Sequence, residues 1–344
     1  MSPEGLSQAV PLQAFNTLRL PASAQWFARV QTPEVLPQFL AWADSRDMPV
    51  LILGGGSNLV LVEDFPGLVL AMAIHERRWS VEDDDTAILT LGAGENWHDS
   101  VLYACQAGYR GIENLALIPG TAGAAPVQNI GAYGAELSQT LTEVDVWDRR
   151  EGRFLTLDNE QCRFAYRDSL FKQAMDRYII IRIRLRLSRR TPFRLSYGEL
   201  AERFGHLRDP DTELSPVTIA ETVARVRLGK LPDPAHLPNA GSFFKNPVVS
   251  PDKLAQLRSE WPDIVAHPDG EGFKLAAGWM IERCGWKGHR DAHVGVHSRQ
   301  ALVLIHHGQG TGSELLSLAE RIRSDVHARF GVNLEIEPRV IANC

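Results

Sequence analysis

Residues 50–59, VLILGGGSNL, determine how the N-terminal half of this chain folds. The apolar run at 50–53 is typical of a buried strand, and the preceding segment 33–47 carries its apolar residues at helical spacing. The glycines that follow form a turn directly after the strand, where backbone N–H groups can point at a phosphate. The sequence therefore predicts a helix, a buried strand and then an anion-binding turn.

The glycine pattern of this turn matches neither common nucleotide-binding motif. The dinucleotide motif GxGxxG would need glycine at positions 59, 97 or 313, where the chain has Leu59, Trp97 and Ser313. A Walker phosphate loop fails as well, because Leu231 stands where the motif needs Ser or Thr. Rossmann and P-loop folds are therefore not favoured.

Strand-like and helix-like segments alternate irregularly along the chain. Apolar patterns predict strands at 68–74, 87–94, 142–147, 153–157, 178–187 and 332–341. Helical spacing or local composition predicts helices at 97–107, 198–205 and 312–330. A proline-rich stretch after Lys230 indicates a boundary before a smaller C-terminal α+β unit. The fold class that we predict is α+β.

The strand at 178–187 has a basic face. Arg182, Arg184 and Arg186 alternate with Ile and Leu, so that one face is buried and the other is positively charged. This face is either a solvated strand surface or an anion-binding surface. We favour the solvated surface, because alternation alone explains the pattern.

A second tract of small residues, GTAGAAPVQNIGAYGAE, spans 120–136. Gly, Ala and Thr allow a backbone to approach a bulky flat ligand closely. An ordinary surface turn is the alternative. Two tracts of small residues in one region are more than ordinary surface turns require, so we favour the interpretation that they bind a ligand.

Composition restricts the function classes. With 344 residues the chain holds about two or three domains, and its 44% hydrophobic and 23% charged residues are typical of globular proteins. A formal charge of -6 argues against a nucleic-acid partner. No apolar run reaches the length of about 18 residues that a membrane helix needs, and the N-terminus lacks a signal-peptide pattern. We expect a cytoplasmic monomer without membrane or nucleic-acid partners.

The cysteines and histidines do not suggest a bridged or metal-binding protein. Cys105, Cys162, Cys284 and Cys344 stand far apart, so reduced thiols are expected. The eleven histidines form no HExxH motif, and no metal site is predicted.

Five stretches together resemble the UDP-N-acetylenolpyruvoylglucosamine reductase family, a group of flavoenzymes of peptidoglycan precursor synthesis. They run in order along the chain, and the likeness extends from about Asn16 to Arg339. The stretches are GGGSNLV at 54–60, IENLALIPGTAGAAPVQNIGAYGAE at 112–136, FAYRDSLFK at 164–172, NAGSFFKNPVV at 239–249 and KLAAGWMIERCGWKG at 274–288. IGAYG and the segment at 196–198 resemble the longer form of the family, which carries an extra loop over the substrate.

The resemblance implies a more specific fold. It implies an FAD-binding domain of the vanillyl-alcohol-oxidase type, made of two subdomains at about 20–192, to which a C-terminal strand at 332–344 returns. A connection with the substrate loop would occupy 193–229, and an α+β substrate-binding domain would occupy 230–330.

The implied activity is the NADPH-dependent reduction of the enolpyruvyl group of UDP-N-acetylglucosamine enolpyruvate to UDP-N-acetylmuramate. The implied cofactor is non-covalent FAD, with NADPH as reductant and a nucleotide sugar as substrate. The positions expected to bind FAD lie in the two small-residue tracts: Gly54, Gly55, Gly56, Ser57, Asn58, Leu59, Gly120, Thr121, Gly123, Ala124, Gln128, Asn129, Gly131, Ala132, Tyr133 and Gly134.

The resemblance assigns catalysis to Arg167, Ser242 and Glu337. Arg167 would bind the substrate carboxylate with its planar fork, although a surface ion pair with Asp168 is the alternative. Ser242 would donate the proton to C2, whereas a lone Gly-Ser is more often a turn or cap. Glu337 would hydrogen-bond the developing charge, and Glu335 is expected on the same face of a strand.

Further positions align with substrate contacts of the family. They are Tyr197, Lys230, Asn246, Lys287 and Gln300. The chain departs from the family at His267, where the longer form often has tyrosine.

Two other functions remain open at this point. One is an FAD-dependent oxidase or dehydrogenase of small alcohols on the same fold, although many of these attach flavin through His or Cys, which the two tracts lack. The other is a nucleotide-binding protein without catalysis, which the joint presence of the three catalytic positions argues against.

Overall fold

The computed structural model describes residues 2–342, so Cys344 and the end of the predicted C-terminal strand lie outside the described residues. The strands in chain order are β1 (Ser7–Pro11), β2 (Ser23–Val30), β3 (Val50–Leu53), β4 (Leu59–Leu61), β5 (Phe65–Met72), β6 (Arg77–Val81), β7 (Thr86–Gly92), β8 (Gly131–Ala132), β9 (Ala135–Glu136), β10 (Leu141–Asp148), β11 (Arg153–Asp158), β12 (Tyr178–Ser188), β13 (Asn239–Ser242), β14 (Val248–Val249), β15 (Ala266–Asp269), β16 (Gly272–Leu275), β17 (Val294–Val296), β18 (Val303–His306) and β19 (Arg339–Ile341). The helices are α1 (Leu36–Asp44), α2 (Trp97–Gln106), α3 (Leu170–Gln173), α4 (Gly198–Phe204), α5 (Pro210–Glu213), α6 (Pro216–Lys230), α7 (Pro251–Glu260), α8 (Ala277–Arg283) and α9 (Gly312–Phe330).

The chain forms two compact units. The first contains residues 26–55 and 66–229 with a short N-terminal piece, and the second contains 9–25, 56–65 and the chain from Lys230 onward. The predicted domain boundaries, including the return of the C-terminal strand to the flavin domain, stay a prediction, because compactness does not say which unit binds which ligand.

The first unit is built on an antiparallel sheet of order β11-β10-β12-β7-β6. Ile183 of β12 lies opposite Val144 of β10 and Leu91 of β7, and all three side chains are buried. Helix α2 packs on this face through Val101 and Ala104, in the same core. The predicted strands and helix of this region are confirmed.

The opposite face of β12 carries the arginines, which we call the arginine ladder (Arg182, Arg184 and Arg186). Arg184 lies 2.9 Å from carboxylate oxygens of both Glu143 and Asp145. Its two neighbours in the ladder also pair with carboxylates, which lie on β10 and directly before and after β6. The ladder is therefore an ion-paired strand surface, which agrees better with the favoured surface interpretation than with an anion-binding face.

Helix α6 is a core element that the sequence analysis missed. The region 193–229 was expected to be a connection, yet α6 buries Ile219, Ala220 and Val223 in the core of the five-stranded sheet. Ser215 begins the helix by accepting the backbone N–H of Thr218 through Oγ, at 3.1 Å. Proline in the first turn and serine before it are the signals that could have predicted this helix.

The second unit surrounds α9. Leu315, Ile322 and Val326 of this helix are fully buried among residues of the three-stranded sheet β13-β18-β17 and its neighbours. Thr311 and Glu314 form a reciprocal capping box at its N-terminus, which fixes the start of the helix. The predicted helix at 312–330 is confirmed.

The predicted final strand at 332–341 is wrong for most of its length. Only Arg339–Ile341 forms a strand, in parallel with β4, and before it only Ile336 makes a bridge, to Phe244. The ladder does not extend because the Leu334 carbonyl accepts from Arg323 instead, at 2.8 Å, and Pro338 has no N–H to donate. Glu335 and Glu337 stand on either side of the bridging residue Ile336, and their shared face stays a prediction.

Candidate active site

The first unit brings the two glycine tracts together. A Cβ on Gly55 would lie 2.8 Å from Gly120 Cα, and a Cβ on Gly54 would lie 2.7 Å from Thr121 Oγ1. The tract is also fixed to α2, because Trp97 N–H donates to the Gly120 carbonyl at 3.1 Å. Only glycine permits this approach, so the pairing of the tracts that we expected is present.

These residues fit a bound FAD. The two glycine tracts approach each other closely through their backbones, without side chains between them. Such a surface suits a flat cofactor with a charged pyrophosphate. Thr121 Oγ1 is buried and has no hydrogen-bond partner among residues 2–342. Such a hydroxyl is costly unless a ligand or water supplies the bond. Asn129 differs, since its side chain bonds to Glu136, Ala165 and the Ser138 N–H within the unit.

Four of the eight described non-glycine residues with left-handed backbone lie in this region. Leu117, Asn129, Tyr133 and Arg167 all have left-handed φ, between 44° and 58°, which non-glycine residues rarely adopt. Each such residue costs about 1–3 kcal/mol and persists only where the surroundings hold it. Strain of this kind is found at functional sites, and three of these four residues, Asn129, Tyr133 and Arg167, are predicted site positions.

Arg167 lies on a tight turn, closed by the pairing of Ala165 with Asp168. Its Nη2 donates to the Gly131 carbonyl at 2.8 Å, and its own carbonyl accepts from Lys172 Nζ at 2.9 Å. Asp168 accepts from Gln173 Nε2 and the Ser169 N–H. The guanidinium is thus directed toward the small-residue tract.

Tyr197 is placed beside this tract. It is the N-cap residue of α4, its side chain is exposed, and its ring packs edge-on against Tyr133 at a centroid distance of 6.2 Å. Asn114 Nδ2 donates to the carbonyls of Tyr133 and Arg194, which fixes the chain just before Tyr197.

The second unit joins Ser242 to Glu337. The Glu337 N–H donates to the carbonyl of Phe243, the residue after Ser242, at 2.9 Å. Two residues further, the Arg339 N–H donates to the Asn58 carbonyl at 3.0 Å, in the predicted cofactor turn. Ser242 Oγ makes no hydrogen bond within the described part of the chain. The hydroxyl is therefore available to a ligand.

Glu335 is engaged elsewhere. Its carboxylate pairs with Lys245 Nζ and is largely exposed, whereas Glu337 is half-buried. The Lys245 N–H also donates to the Glu335 carbonyl, at 2.9 Å. Of the two carboxylates, Glu337 is the less exposed one, and its catalytic role stays a prediction.

The other predicted substrate residues of this unit divide into two groups. Asn246 Oδ1 accepts the Ala277 N–H at 3.0 Å, and Gln300 Oε1 lies 3.6 Å from where a Cβ on Gly278 would be, so both meet the start of α8. Lys287 instead lies at the surface, 2.8 Å from Glu282. Lys230 is an exposed residue at the end of α6. The departure at His267 falls on β15, at an exposed position opposite Lys274.

Comparisons with known proteins agree with this arrangement. Residues 24–158 match a family model described as an FAD binding domain, and residues 233–341 match the C-terminal domain of UDP-N-acetylenolpyruvoylglucosamine reductase. The chain is similar to the UDP-N-acetylenolpyruvoylglucosamine reductase of Pseudomonas fluorescens, at 46% identity over 96% of this chain and 97% of the relative. The chain belongs to the UDP-N-acetylenolpyruvoylglucosamine reductase family. The reductase of Cupriavidus pinatubonensis is 50% identical, over 96% of this chain and 98% of that protein.

A solved structure shares the fold. The crystal structure of UDP-N-acetylenolpyruvylglucosamine reductase from Thermus caldophilus superposes with a TM-score of 0.68 at 24% identity, covering 98% of this chain and 99% of that chain. The predicted α+β class, with an FAD-binding domain followed by the family's C-terminal domain, is confirmed.

Three further structural findings concern function. Cys105, Cys162 and Cys284 are free thiols. Within residues 2–342, no helix combines the length and apolarity that crossing a membrane requires. The same residues contain no group of three or more His, Cys, Asp or Glu side chains that could hold a metal ion.

Proposed function

We propose that this chain reduces the enolpyruvyl group of UDP-N-acetylglucosamine enolpyruvate to give UDP-N-acetylmuramate, with NADPH as reductant, in peptidoglycan precursor synthesis. The observation that carries the proposal is the match over nearly the full length, at 46–50% identity, to proteins named for this reductase activity. FAD, bound without a covalent link, supplies the hydride chemistry. The protein must bind the substrate, stabilise negative charge on it and deliver one proton.

Arg167 binds the substrate carboxylate. When hydride adds to C3 of the enolpyruvyl group, negative charge develops on C2 and its carboxylate. A guanidinium offers two parallel N–H donors to such a group. The turn that closes at Ala165 and Asp168 holds Arg167 in a strained conformation, so its position is set before the substrate binds.

Ser242 delivers the proton to C2. A serine hydroxyl is a weak acid in water, but it can protonate a strongly basic enolate that is held within hydrogen-bond distance. Since Ser242 Oγ bonds to no described residue, no internal bond competes with this transfer. Glu337, fixed through its N–H to the Phe243 carbonyl, stabilises the charge that develops beside Ser242.

The remaining predicted contacts hold the nucleotide sugar. Lys230 and Lys287 suit its diphosphate, because lysine acts as a mobile point charge toward phosphate oxygens. Lys287 must then exchange its ion pair with Glu282 for the substrate. Tyr197, Asn246 and Gln300 complete the proposed contacts. We place the reaction in the cytoplasm, where free thiols such as Cys105 are stable; a monomeric state stays a prediction.

Purification tests this proposal first. The protein should be yellow and should release FAD on denaturation, and the FAD-loaded protein should consume NADPH only when the enolpyruvyl substrate is present. An alcohol oxidase would instead reduce oxygen with a small alcohol and ignore the nucleotide sugar. A nucleotide-binding protein without catalysis would bind the substrate and leave NADPH unconsumed.

A further inference from the structure

One arginine joins both ends of the segment 191–211, which lies between β12 and α6. Arg110 Nη1 donates to the Thr191 carbonyl at 3.4 Å and to Asp211 Oδ1 at 3.0 Å, and its Nη2 donates to the Asp211 carbonyl at 2.8 Å. The Phe193 N–H donates to the same carboxylate oxygen at 3.0 Å, and Arg110 Cζ lies 4.0 Å from the centre of the Phe193 ring. The two ends of the segment are therefore held together by one side chain.

Arg110 is itself fixed to the core sheet. Its N–H donates to the carbonyl of Ser188, the last residue of β12, at 3.0 Å. Its side chain is 13% exposed, and that of Asp211 is 44% exposed. Solvent screens a partly buried ion pair less than a pair at the surface, and the planar fork of arginine gives this one a geometry that lysine cannot copy. Arg110 therefore ties the 191–211 segment to the sheet.

The backbone around Tyr197 is anchored on both sides. Before it, the Arg194 carbonyl accepts from Asn114 Nδ2 at 2.8 Å, and the same amide donates to the Tyr133 carbonyl. After it, Leu200 of α4 is fully buried in the core of the five-stranded sheet. Tyr197 remains 59% exposed, with its ring beside Tyr133. The fold thus fixes the backbone and leaves the ring accessible to a ligand.

We infer that Arg110 is a positioning residue for substrate binding: by joining the ends of the 191–211 segment, it holds Tyr197 in place for the nucleotide sugar. The inference rests on the proposed function, because that function supplies the substrate and the contact with Tyr197. A segment that is fixed at both ends has fewer conformations, so less ordering is needed when the substrate binds. Loss of Arg110 should therefore weaken substrate binding and leave the flavin chemistry intact.

The first test measures the segment itself in the FAD-loaded protein. Trypsin can cleave the segment after three arginines, Arg194, Arg203 and Arg208. Arg110→Met should speed cleavage at these sites by about tenfold, because loss of a charge-assisted bond increases the population of the open segment. Arg149→Met is the matched control, since Arg149 bonds to the Asp44 carboxylate at 3.3 Å and to a backbone carbonyl, outside the segment. The control should leave cleavage of the segment unchanged.

The second test measures catalysis in steady-state assays. Arg110→Met should raise KM for the enolpyruvyl substrate by about five- to tenfold, as loss of one hydrogen bond to a ligand does. It should leave kcat within about twofold, because substrate that has bound orders the segment. Arg110→Lys keeps the charge opposite Asp211 but not the fork, so its KM should lie between those of Arg110→Met and wild type. Arg149→Met should change neither constant.

Further variants separate an effect through Tyr197 from a general effect on the fold. Tyr197→Ala alone should raise KM, and adding Arg110→Met should raise it no further, since both substitutions remove the same contact with the substrate. Asp211→Asn removes the ion pair from the other side and keeps an oxygen that can accept the Phe193 N–H. It should speed trypsin cleavage and raise KM, as Arg110→Met does.

Three results would overturn the inference. Unchanged trypsin cleavage in Arg110→Met would show that Arg110 does not hold the segment. Faster cleavage with unchanged KM would show that the held segment does not serve substrate binding, and KM losses that add in the double variant would show that Arg110 does not act through Tyr197. If Arg110→Met does not fold, Arg110→Lys and Asp211→Asn decide by the same measurements. A wild-type protein that does not turn over the enolpyruvyl substrate would instead contradict the proposed function, while the trypsin comparison still shows whether Arg110 holds the segment.

Discussion

The arginine ladder of β12 and the arginines Arg167 and Arg227 lie in the same unit and share one residue type, yet their surroundings differ. Arg184 of the ladder reaches two carboxylates at 2.9 Å. Arg227 has no carboxylate among residues 2–342 and donates only to a backbone carbonyl. The ladder arginines are bound to carboxylates of the sheet surface, whereas Arg227 is bound to the backbone alone among the described residues.

The difference shows that the partners of a side chain, more than its type, indicate its role. A polar group whose bonds are made within the fold contributes to stability, and a group that the fold holds but does not satisfy is available for binding or catalysis. The first three predictions below each compare one residue of the proposed site with a residue of the same type outside it.

The largest effect is expected for serine. Ser242→Ala should slow reoxidation of reduced flavin by the substrate by about 10²- to 10⁴-fold and leave flavin reduction by NADPH nearly unchanged, because only the second half-reaction needs the proton. Ser250→Ala is the control. Ser250 caps α7 by accepting the Lys253 N–H at 3.2 Å, so its loss should lower the free energy of unfolding by about 1 kcal/mol and leave both half-reactions intact.

Stopped-flow absorbance of the flavin gives the rate of each half-reaction in Ser242→Ala and Ser250→Ala. Similar losses in both half-reactions of Ser242→Ala would point to a defect in folding or flavin binding, and would remove Ser242 from the proton transfer.

The arginine pair should show the next largest effect. Arg167→Met should lower kcat/KM for the enolpyruvyl substrate by about 10²- to 10³-fold, as loss of a preorganised donor does. Arg184→Met should leave kcat/KM unchanged and lower the free energy of unfolding by about 1 kcal/mol, since its ion pairs are partly exposed. Steady-state kinetics and urea unfolding distinguish the two. A lowered kcat/KM in Arg184→Met would contradict the comparison between the ladder and the proposed site.

The carboxylates give a smaller expected effect. Glu337→Ala should reduce turnover by about 10²-fold, and Glu337→Gln should retain part of the activity, because the amide still donates a hydrogen bond. Glu335→Ala removes only the exposed pair with Lys245 and should have little effect on turnover. The assignment is wrong if Glu335→Ala causes the larger loss.

The smallest effect concerns stability alone, at Asp148. Hydrogen bonds from Arg177 lower the pKa of this buried carboxylate, and the N–H groups of Arg150 and Glu151 contribute. A lowered native pKa stabilises the fold above the unfolded value of about 4, and this stabilisation is lost as pH falls through the native pKa.

Urea unfolding at several pH values tests this. Asp148→Asn should be less stable than wild type at neutral pH, and the difference should narrow below about pH 4. A difference that stays constant with pH would show that Asp148 stabilises the fold through its shape and not its charge.

The sequence predicted the parts of the fold with strong local signals. Helix α9 was predicted at its observed bounds from its apolar residues at helical spacing. The structure shows what fixes these bounds: Thr311 and Glu314 form a capping box, and Gly331 ends the helix with φ +61°. The strand before Gly54 was predicted for a similar reason, since an apolar run meets glycines. These signals lie within a few residues of the element that they define.

The sequence could not predict features that depend on tertiary contacts. The strand pattern before Pro338 failed because Arg323 takes the Leu334 carbonyl. The link between Arg227 and His98 could not be predicted either, because each is an isolated polar residue in sequence and only the fold joins them at Leu117. The catalytic positions Arg167, Ser242 and Glu337 came from the resemblance, since residue spacing alone gives them no role.

Anaerobic transfer of reducing equivalents through the bound flavin tests the central claim most directly. FAD-loaded protein is first reduced with one equivalent of NADPH and then mixed with UDP-N-acetylglucosamine enolpyruvate. The account predicts that the flavin bleaches in the first step, regains its oxidised spectrum in the second, and yields UDP-N-acetylmuramate in equal amount. Flavin that stays reduced in the presence of the enolpyruvyl substrate would contradict the account.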